Sequence, residues 1–259
     1  MAFGSTRRKD LKPEEDPILN SLLNVDVKVL VIFGKAWDLH VEKVLNTTLE
    51  ENLNMVQDTI KYLISKGKEV IFDAEHFFDG FKANPSYALE VVKVAYDAGA
   101  KLVTLCDTNG GSLTWQVEEA IKRLKDYVKC PLGIHTHNDS GLAVANTLVA
   151  VKEGITHVQG TINGLGERCG NADLCQILPA LIFKMKKRCL ISSKPEEEQL
   201  KGLTELSRYI YELANIRPIP SQPYVGKNAF RHKGGVHIDA MLKESRAYEH
   251  INCLLYTSP

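Results

Sequence analysis

Residues 101–141, KLVTLCDTNGGSLTWQVEEAIKRLKDYVKCPLGIHTHNDSG, contain a complete alternation of strand, helix and strand. The short apolar runs 101–106 and 132–137 predict buried strands. A strand, a crossover helix and a second strand in this order predict parallel pairing with a right-handed connection. The stretch between the two runs carries apolar residues at helical spacing: Val117, Ile121, Leu124 and Val128.

The same alternation extends along most of the chain. Thr48 and Glu51 have the spacing of a capping box at the start of a long helix, which Gly67 ends. Asn84 and Pro85 open the next helix, since proline suits a first helical turn. The other predicted strands are 2–4, 27–33, 69–73 and 157–161. A helix after the last strand is marked by Leu174, Leu178, Ile182 and Met185.

Two architectures have strands in this order, a doubly wound sheet and a closed barrel. A dinucleotide-binding doubly wound sheet needs a glycine-rich turn after its first strand, and residues 34–37, GKAW, do not fit that turn. A barrel predicts reactive side chains at the carboxyl ends of several strands. Such residues follow four predicted strands: Asp73 and Glu75, residues 107–109, His135 and His137, and residues 163–171. The sequence therefore predicts an α/β barrel of the (β/α)8 type.

The composition excludes several classes of protein. The chain has 259 residues, of which 44% are hydrophobic, with 32 Lys plus Arg against 32 Asp plus Glu. This balance does not indicate a nucleic-acid-binding protein, and no apolar run approaches the roughly 20 residues of a membrane span. The six cysteines include no CxxC pair and are interpreted as reduced thiols of a cytosolic protein.

The alternation ends near residue 188, and the sequence predicts three parts. Residues 1–189 are expected to form a partial catalytic barrel domain, and residues 190–251 a small, mostly helical C-terminal linker subdomain in which Pro195 starts a helix. Residues 252–259 are expected to be a non-native tail that resembles translated adapter sequence.

The segment His135-Thr136-His137 carries the strongest chemical signal. Side chains at positions i and i+2 of a strand point to the same face, so the two imidazoles converge on one point. Imidazole is a common ligand of divalent metals. The alternative is a surface histidine pair beside a polar turn, but the apolar run 131–134 favours a strand that faces inward.

The glycine-rich segment 163–172, NGLGERCGNA, predicts a second site. Three glycines allow a ligand to approach the backbone closely, and Glu167, Arg168 and Asn171 are presented on this loop. A helix that starts after the loop would favour a bound anion. The alternative is a tight turn with a solvated Glu–Arg pair.

Three other segments carry weaker signals. Carboxylates beside aromatic residues in 73–79, DAEHFFD, can serve as acid or base; the alternative is a satisfied loop carboxylate. Thr108 can donate to a substrate carboxylate or can cap the following helix. The histidines of 232–239, HKGGVHID, can transfer protons or can be merely structural.

Taken in order, these segments resemble one family. HTHNDSG resembles the HxHND signature of the α-isopropylmalate, homocitrate and citramalate synthases, which are metal-dependent (β/α)8 enzymes, and GERCGN resembles their glycine-rich loop. The citramalate synthase branch is the most similar, over about residues 1–251. The segments that carry this similarity include 2–8 (AFGSTRR), 73–89 (DAEHFFDGFKANPSYAL), 105–111 (LCDTNGG) and 230–243 (FRHKGGVHIDAMLK).

The resemblance implies roles for the residues of the predicted barrel. His135 and His137 would be metal ligands, and Asn171 would lie in or beside the metal shell. Thr108 would hold the carboxylate of an α-keto acid, and Glu75 would line the keto-acid pocket.

The resemblance also implies catalytic residues outside these strands. Glu167 would lie near the thioester of acetyl-CoA. In the C-terminal subdomain, His237 and Asp239 would assist proton transfer, with Tyr248 as a further candidate. Because this subdomain acts on the partner's barrel in relatives, the resemblance implies a homodimer.

The implied reaction is a Claisen-type condensation of acetyl-CoA with pyruvate to citramalate and CoA, with Mg, Mn or Zn as the divalent cofactor. A cytoplasmic location is expected, with neither a nucleic acid nor a membrane as partner. The alternatives are a 2-isopropylmalate or homocitrate synthase, a lyase that resembles hydroxymethylglutaryl-CoA lyase, and a non-catalytic paralogue.

The chain departs from the family pattern at both ends. The family's first strand carries an Arg–Asp pair, and residue 1 of this chain corresponds to the third strand, so the first two β/α units and the C-terminal regulatory domain are expected to be missing. An incomplete barrel has open sheet edges. We therefore expect this polypeptide alone to be inactive and poorly soluble.

Overall fold

Six parallel strands form a single sheet, in the order in which they occur along the chain. The computed structural model describes residues 1–189, 198 and 200–251. The predicted tail and the predicted helix start at Pro195 lie outside the described residues. The strands are β1 (Ala2–Ser5), β2 (Val29–Lys35), β3 (Glu69–Glu75), β4 (Leu102–Asp107), β5 (Leu132–Thr136) and β6 (His157–Gln159).

Helices connect the strands and continue after the sheet. No helix of the described part of the chain is both long enough and apolar enough to span a bilayer. The helices of the first five connections are α1 (Pro17–Leu23), α2 (Asp38–Lys43), α3 (Leu49–Ser65), α4 (Phe77–Ala83), α5 (Pro85–Asp97), α6 (Thr114–Tyr127) and α7 (Ala143–Lys152). After the sheet come α8 (Leu174–Pro179), a π turn (Ala180–Lys184), α9 (Leu203–Leu213) and α10 (Gly235–Lys243).

Side-chain caps explain where the main helices begin. Thr48 Oγ1 accepts a hydrogen bond from Glu51 N at 3.1 Å at the start of α3, and Asn84 Oδ1 accepts from Tyr87 N at 3.2 Å at the start of α5. Each cap satisfies a backbone N–H that has no partner within the helix. Both helix starts predicted from the sequence are confirmed.

The two faces of the sheet differ in polarity because alternate residues of a strand point to opposite sides. The helix-covered face contributes the hydrophobic core of this part of the chain. Polar side chains lie on the other face, at the carboxyl ends of the strands. The buried strand residues of the core are Leu30, Ile32, Val70, Phe72, Ala74, Val103, Leu105, Leu132 and Ile134.

The chain packs as two units, with Met1–Gln159 in the first and a second that begins at Gly160. The first unit contains the sheet and α1–α7. The second has a smaller core, formed by Cys175, Ile182, Leu200, Leu203 and Val225. The domain boundary predicted between residues 189 and 190 stays a prediction.

The helix predicted after the last strand differs from the structure. The regular part of α8 ends at Pro179, and a π turn continues from Ala180 to Lys184. Proline has no N–H to donate to the carbonyl four residues earlier, and the wider π turn follows directly. The apolar spacing of the sequence indicated the buried face of this segment but not the change in its geometry.

Candidate active site

The carboxyl ends of β3, β4 and β5 line a cavity of about 250 Å³. Each strand contributes two residues at positions i and i+2, which share one face of the sheet. The aromatic rings of Phe3 and Phe33 and the amide of Gln159 complete the lining. The six side chains from the three strand ends are Asp73, Glu75, Cys106, Thr108, His135 and His137.

The two histidines meet at their ring nitrogens. His135 Nε2 lies 3.0 Å from His137 Nε2. His137 follows the last residue of β5, and its N–H donates to Asp107 O at 3.1 Å, which keeps the segment extended. The structure therefore brings together the two imidazoles as the i, i+2 spacing predicts.

Gln159 holds the His135 ring in a defined orientation. The Gln159 side chain donates through Nε2 to Asp73 Oδ1 at 3.0 Å, so its carbonyl oxygen Oε1 faces His135 Nδ1 at 2.9 Å. An amide oxygen only accepts, so His135 must donate from Nδ1. In the neutral ring, the lone pair is then on Nε2, which faces His137.

Asp73 lies at the far end of this hydrogen-bonded chain and is only 5% exposed. Burial raises the pKa of the Asp73 carboxyl, and hydrogen bonds from Thr104 and Gln159 offset part of this effect. Cys106 lines the same cavity, and burial raises the pKa of its thiol well above the ordinary value. The sulfur is therefore a neutral thiol at pH 7 and not a reactive thiolate.

Glu75 and Thr108 are held by neighbouring strand ends. Lys35 and Glu75 are paired in the register of β2 and β3, and the Lys35 ammonium forms an ion pair with the Glu75 carboxylate. Thr108 Oγ1 accepts from His76 N at 2.8 Å. The alternative role of Thr108 as a helix cap is wrong, because the next helix begins at Thr114 with Leu113 as its N-cap.

Asp79, in the first turn of α4, is also hydrogen-bonded. His76 Nδ1 lies 2.9 Å from Asp79 Oδ2, and Asn109 Nδ2 donates to Asp79 Oδ1 at 3.0 Å. Burial favours a higher pKa of the Asp79 carboxyl, but these hydrogen bonds outweigh it and the pKa lies below the ordinary value. Asp79 is thus a satisfied carboxylate, as the alternative interpretation of this segment had it, but it lies in the first turn of α4 and not in a loop.

The histidine pair has the chemistry of a partial metal site. The two Nε2 atoms lie 3.0 Å apart, and two imidazole nitrogens this close together can both bind one divalent ion. The hydrogen bond from His135 Nδ1 to an amide is the usual way to orient a metal-binding histidine. Over the described ranges, no group of three or more His, Cys, Asp or Glu residues is arranged to hold an ion.

The glycine-rich loop belongs to the second unit and closes on itself. Asn171 N donates to Gly164 O at 2.9 Å, and Gly170 N donates to Glu167 O at 2.8 Å. A Cβ on Gly166 would lie 1.7 Å from Asn171 Oδ1, so only glycine lets the Asn171 amide pack there. Glu167 is exposed at the tip of the loop.

The start of α8 is occupied by a side chain of the protein. Asp173 Oδ1 accepts from Cys175 N at 2.9 Å, and Asp173 Oδ2 accepts from Gln222 Nε2 at 2.9 Å. The predicted anion site at this helix N-terminus is therefore wrong, because the Asp173 carboxylate takes the position of the anion.

The candidate residues of the C-terminal segment lie on and after α10. The His237 and Tyr248 rings are stacked, with centroids 4.2 Å apart and an interplanar angle of 23°. Asp239 forms an ion pair with Lys243 at 2.6 Å, one helical turn away. The structure therefore brings His237 to Tyr248, while Asp239 contacts a surface lysine.

The sequence analysis did not single out Gln159 or Lys35. The sheet register pairs Gln159 with His135 and Lys35 with Glu75. Alternation within one strand does not contain this register, but an alignment of the carboxyl ends of the predicted parallel strands would have found both residues.

Comparisons with known proteins agree with this fold. Residues 11–206 match the family model described as HMGL-like, and residues 224–255 match the one described as homocitrate synthase post-HMGL domain-like. An HMG-CoA lyase from Acinetobacter baumannii has a similar structure, with a TM-score of 0.68, 20% identity, and coverage of 90% of this chain and 74% of that one. This likeness confirms the predicted α/β class with an incomplete (β/α)8 barrel.

Two curated relatives have higher identity. An (R)-citramalate synthase from Aquifex aeolicus is 53% identical over 253 residues, which are 97% of this chain and 47% of that protein. A homocitrate synthase from Methanopyrus kandleri is 35% identical over 234 residues, which are 90% of this chain and 56% of that protein. The chain thus spans about half the length of the curated relatives it matches. With a family model that covers residues 11–206, the chain belongs to the HMGL-like family.

Proposed function

We propose that this chain carries the keto-acid side of a citramalate synthase active site. The observation that supports it most directly is the pair of Nε2 atoms of His135 and His137, 3.0 Å apart in a cavity with Thr108 and Glu75. The 53% identity with a curated (R)-citramalate synthase favours pyruvate as the keto acid. The reaction would convert acetyl-CoA, pyruvate and water into citramalate and CoA.

The metal proposal rests on the donor atoms. His135 and His137 would provide two ligands for Mg, Mn or Zn, and Asn171 would lie in or beside the shell. When bound, the cation would supply Lewis acidity at the ketone oxygen of the keto acid. Gln159 would keep the lone pair of His135 Nε2 directed at the ion, and Asp73 would hold Gln159.

The other side chains of the cavity would bind the keto acid. The Thr108 hydroxyl, already oriented by His76 N, would donate to the substrate carboxylate. The Glu75 carboxylate, kept in place by Lys35, would line the pocket beside it. The phenyl rings of Phe3 and Phe33 would exclude water from the reacting carbonyl.

The condensation balances as follows. A base removes a proton from the acetyl methyl group, and a carbon–carbon bond forms between that methyl carbon and the ketone carbon of pyruvate. The π bond of the ketone breaks, and its oxygen takes up a proton and becomes the hydroxyl group of the product. Water then cleaves the thioester, so the transferred acyl group ends as an alkyl group and CoA leaves as a thiol. Glu167 would lie near the thioester, and His237 and Asp239, with Tyr248, would assist the proton transfers.

The predicted homodimer is part of the same proposal, since the C-terminal segment would act on the barrel of a second copy. Sedimentation velocity of the full-length parent would show the dimer. The cytoplasmic location, and the expectation that neither nucleic acid nor membrane is a partner, stay predictions.

The test is a chimera in which residues 1–251 replace the matching segment of the Aquifex aeolicus citramalate synthase. CoA release is measured with a thiol reagent in the presence of acetyl-CoA and pyruvate, 2-ketoisovalerate or 2-ketoglutarate. We expect turnover with pyruvate and at least tenfold less with the two larger keto acids, since a pocket discriminates by contacts with the side chain.

The controls separate the possible outcomes. His135→Ala in the chimera should abolish turnover. The matched change is His157→Ala, on the face of β6 that also carries Gln159, and it should leave most of the turnover. Preference for 2-ketoisovalerate or 2-ketoglutarate would instead identify an isopropylmalate or homocitrate synthase. The isolated chain, assayed in parallel, is expected to show no turnover.

A further inference from the structure

A cavity of about 290 Å³ lies in the second unit, between α9 and the loop that precedes α10. Every residue that lines it follows Gly160 in the chain, so the lining contains no side chain of the histidine cavity. None of its charged residues has a role in the proposed condensation. These residues are Lys201, Glu205, Arg208, Lys227 and Arg231.

Cations outnumber carboxylates in this lining by four to one. All five charged side chains are exposed, and within residues 1–189, 198 and 200–251 none of them forms an ion pair or a side-chain hydrogen bond. Glu205 and Arg208 have a spacing at which ion pairs form on a helix, but this pair is not made. Like charges gathered around one cavity repel each other, so a bound anion would lower the electrostatic energy.

The inner part of the cavity is apolar. Val225 is 6% exposed and belongs to the core of the second unit, and the half-buried rings of Tyr224 and Phe230 pack against that core. The four cations are exposed, so they form the rim of the cavity. An organic molecule with anionic groups at one end matches this distribution.

The loop that carries Tyr224 is held in a fixed conformation. Val225 N donates to Pro223 O at 2.8 Å, and this bond closes a three-residue turn around Tyr224, whose φ is 65°. A positive φ is uncommon for a tyrosine and costs conformational energy. The buried Tyr211 hydroxyl donates to Gln222 Oε1 at 3.0 Å and ties the loop to α9. The wall that Tyr224 provides is therefore present without a ligand.

The number and type of the cations favour phosphate groups over a carboxylate. A single carboxylate would neutralise only one of the four cations. Two phosphate groups offer several anionic oxygens, of which a guanidinium can bind two at once, while an ammonium acts as a point charge. Arg208 and Arg231 provide two guanidinium groups at the rim, and Lys201 and Lys227 provide two ammonium groups.

We propose that this cavity binds a small organic molecule with two or more phosphate groups. The phosphates meet the four cations of the rim, and the apolar part of the molecule contacts Tyr224 and Phe230. This ligand is distinct from the keto acid and the thioester of the proposed reaction, and the inference does not depend on that reaction. Because the ligand joins α9 to the loop before α10, it stabilises the folded second unit.

The test is a calorimetric titration of the full chain with pyrophosphate and with ADP, in a buffer with a chelator so that no divalent ion bridges the probe to the protein. Both probes should bind to the wild type. The double variant Arg208→Glu/Lys227→Glu should weaken their binding about tenfold or more, since it removes two charged contacts. The charge-matched control Lys187→Glu/Arg217→Glu, at exposed positions of the second unit outside the cavity, should bind both probes like the wild type.

A further variant tests the effect in the opposite direction. Glu205→Gln removes the one carboxylate of the lining and should strengthen binding of both probes about two- to fivefold, a gain that partial unfolding does not produce. The inference is overturned if neither probe binds, if Arg208→Glu/Lys227→Glu binds them as tightly as the wild type, or if Glu205→Gln fails to bind them more tightly. Displacement of ADP by acetyl-CoA would also overturn it, because the cavity would then belong to the substrate site.

Discussion

A single amide decides which nitrogen of His135 faces the cavity. Gln159 donates to Asp73 and accepts from His135 Nδ1. Without this acceptor, the ring can rotate or take the other tautomer, and the lone pair no longer points at His137. Partners of this kind typically contribute 10–100-fold to metal affinity.

We therefore expect Gln159→Leu to weaken binding of Zn²⁺ or Co²⁺ to the chain by about 10–100-fold. Gln57→Leu, on the outer surface of α3, is the matched control and should bind the ion like the wild type. The measurement is a calorimetric titration near neutral pH. Equal affinities in the two variants would show that Gln159 does not orient a ligand.

Gly80 allows α4 to pack directly on the turn after β2. A Cβ at this position would lie 2.1 Å from Ala36 O, a backbone atom that cannot move aside easily. Gly80→Ala should therefore destabilise the fold by about 1–3 kcal/mol. The control is Gly235→Ala, where a Cβ meets no atom within 4 Å and the change should be within about 0.5 kcal/mol.

Urea unfolding of both glycine variants checks this prediction. If Gly80→Ala left the free energy of unfolding unchanged, α4 would be able to shift away from β2. His76, the N-cap of α4, would then also be able to move relative to Thr108.

Among single residues, the sequence predicted those whose position follows from strand alternation. His135 and His137, and Glu75 and Thr108, lie in one cavity as expected from their places at strand ends. Gln159 and the Lys35–Glu75 pair depend on register between strands, which a periodic pattern within one strand does not contain. The Asp173 cap of α8 was missed because a helix N-terminus stabilises any carboxylate, whether it belongs to a bound anion or to a side chain of the protein such as Asp173.

Among the elements, long periodic segments were predicted and short ones were missed. The strands of the sheet and the helices α3, α5 and α6 follow the predicted pattern. The helices α1, α2 and α4 have only six or seven residues each, which is too short for a periodic apolar stripe to appear. Asp16 caps α1, whereas α2 and α4 have no side-chain cap and form because Val41 of α2 and Phe77 of α4 are buried in the core.

A contact between α2 and the start of α4 is sensitive to pH. The His40 ring lies 4.1 Å from the His76 ring and 5.2 Å from the Trp37 ring, and its Nδ1 is buried with no partner. Burial lowers the pKa of His40. The charges of His76 and Lys35 lower it further, while Glu75 and Asp79 partly oppose them.

The sign of the effect on stability follows from this lowered pKa. Above the ordinary histidine value of about 6.5, the ring is neutral in both states. As the pH falls below that value, the unfolded chain binds the proton first, so the folded state loses stability. The wild-type chain should therefore unfold at lower urea at about pH 5.5 than at about pH 7.5.

The variant His40→Phe should reduce this pH dependence, because the ring stays aromatic and can no longer be protonated. The exposed control His237→Phe should keep the wild-type dependence. Urea midpoints at the two pH values give the result, and an unchanged pH dependence in His40→Phe would assign the effect to other groups.

For the whole molecule, the sequence predicted the class of fold and the direction of the strands, and the parallel order β1 to β6 confirms both. The sequence did not predict that the compact units divide after Gln159. That division depends on which side chains pack after the last strand, such as Cys175 with Leu203 and Val225, and these contacts join residues far apart in the chain.

The open edge of the sheet leads to a prediction about self-association. Among the strands that the structure describes, β1 pairs with β2 alone, so its other side presents a row of backbone hydrogen-bonding groups. Phe3, on this edge, is 64% exposed and stacks on Phe33. An exposed edge with an apolar side chain favours pairing with another chain.

We expect the isolated chain to associate increasingly as its concentration rises, and Phe3→Lys to reduce this association, because a lysine on an edge strand opposes pairing with a second strand. Trp115→Lys is the matched control, since Trp115 is also 64% exposed but lies in the first turn of α6 and not on a sheet edge. Sedimentation velocity over a concentration series would measure both variants. If Trp115→Lys reduced association as much as Phe3→Lys, general surface hydrophobicity would be the cause, and the edge of β1 would not be the contact between copies.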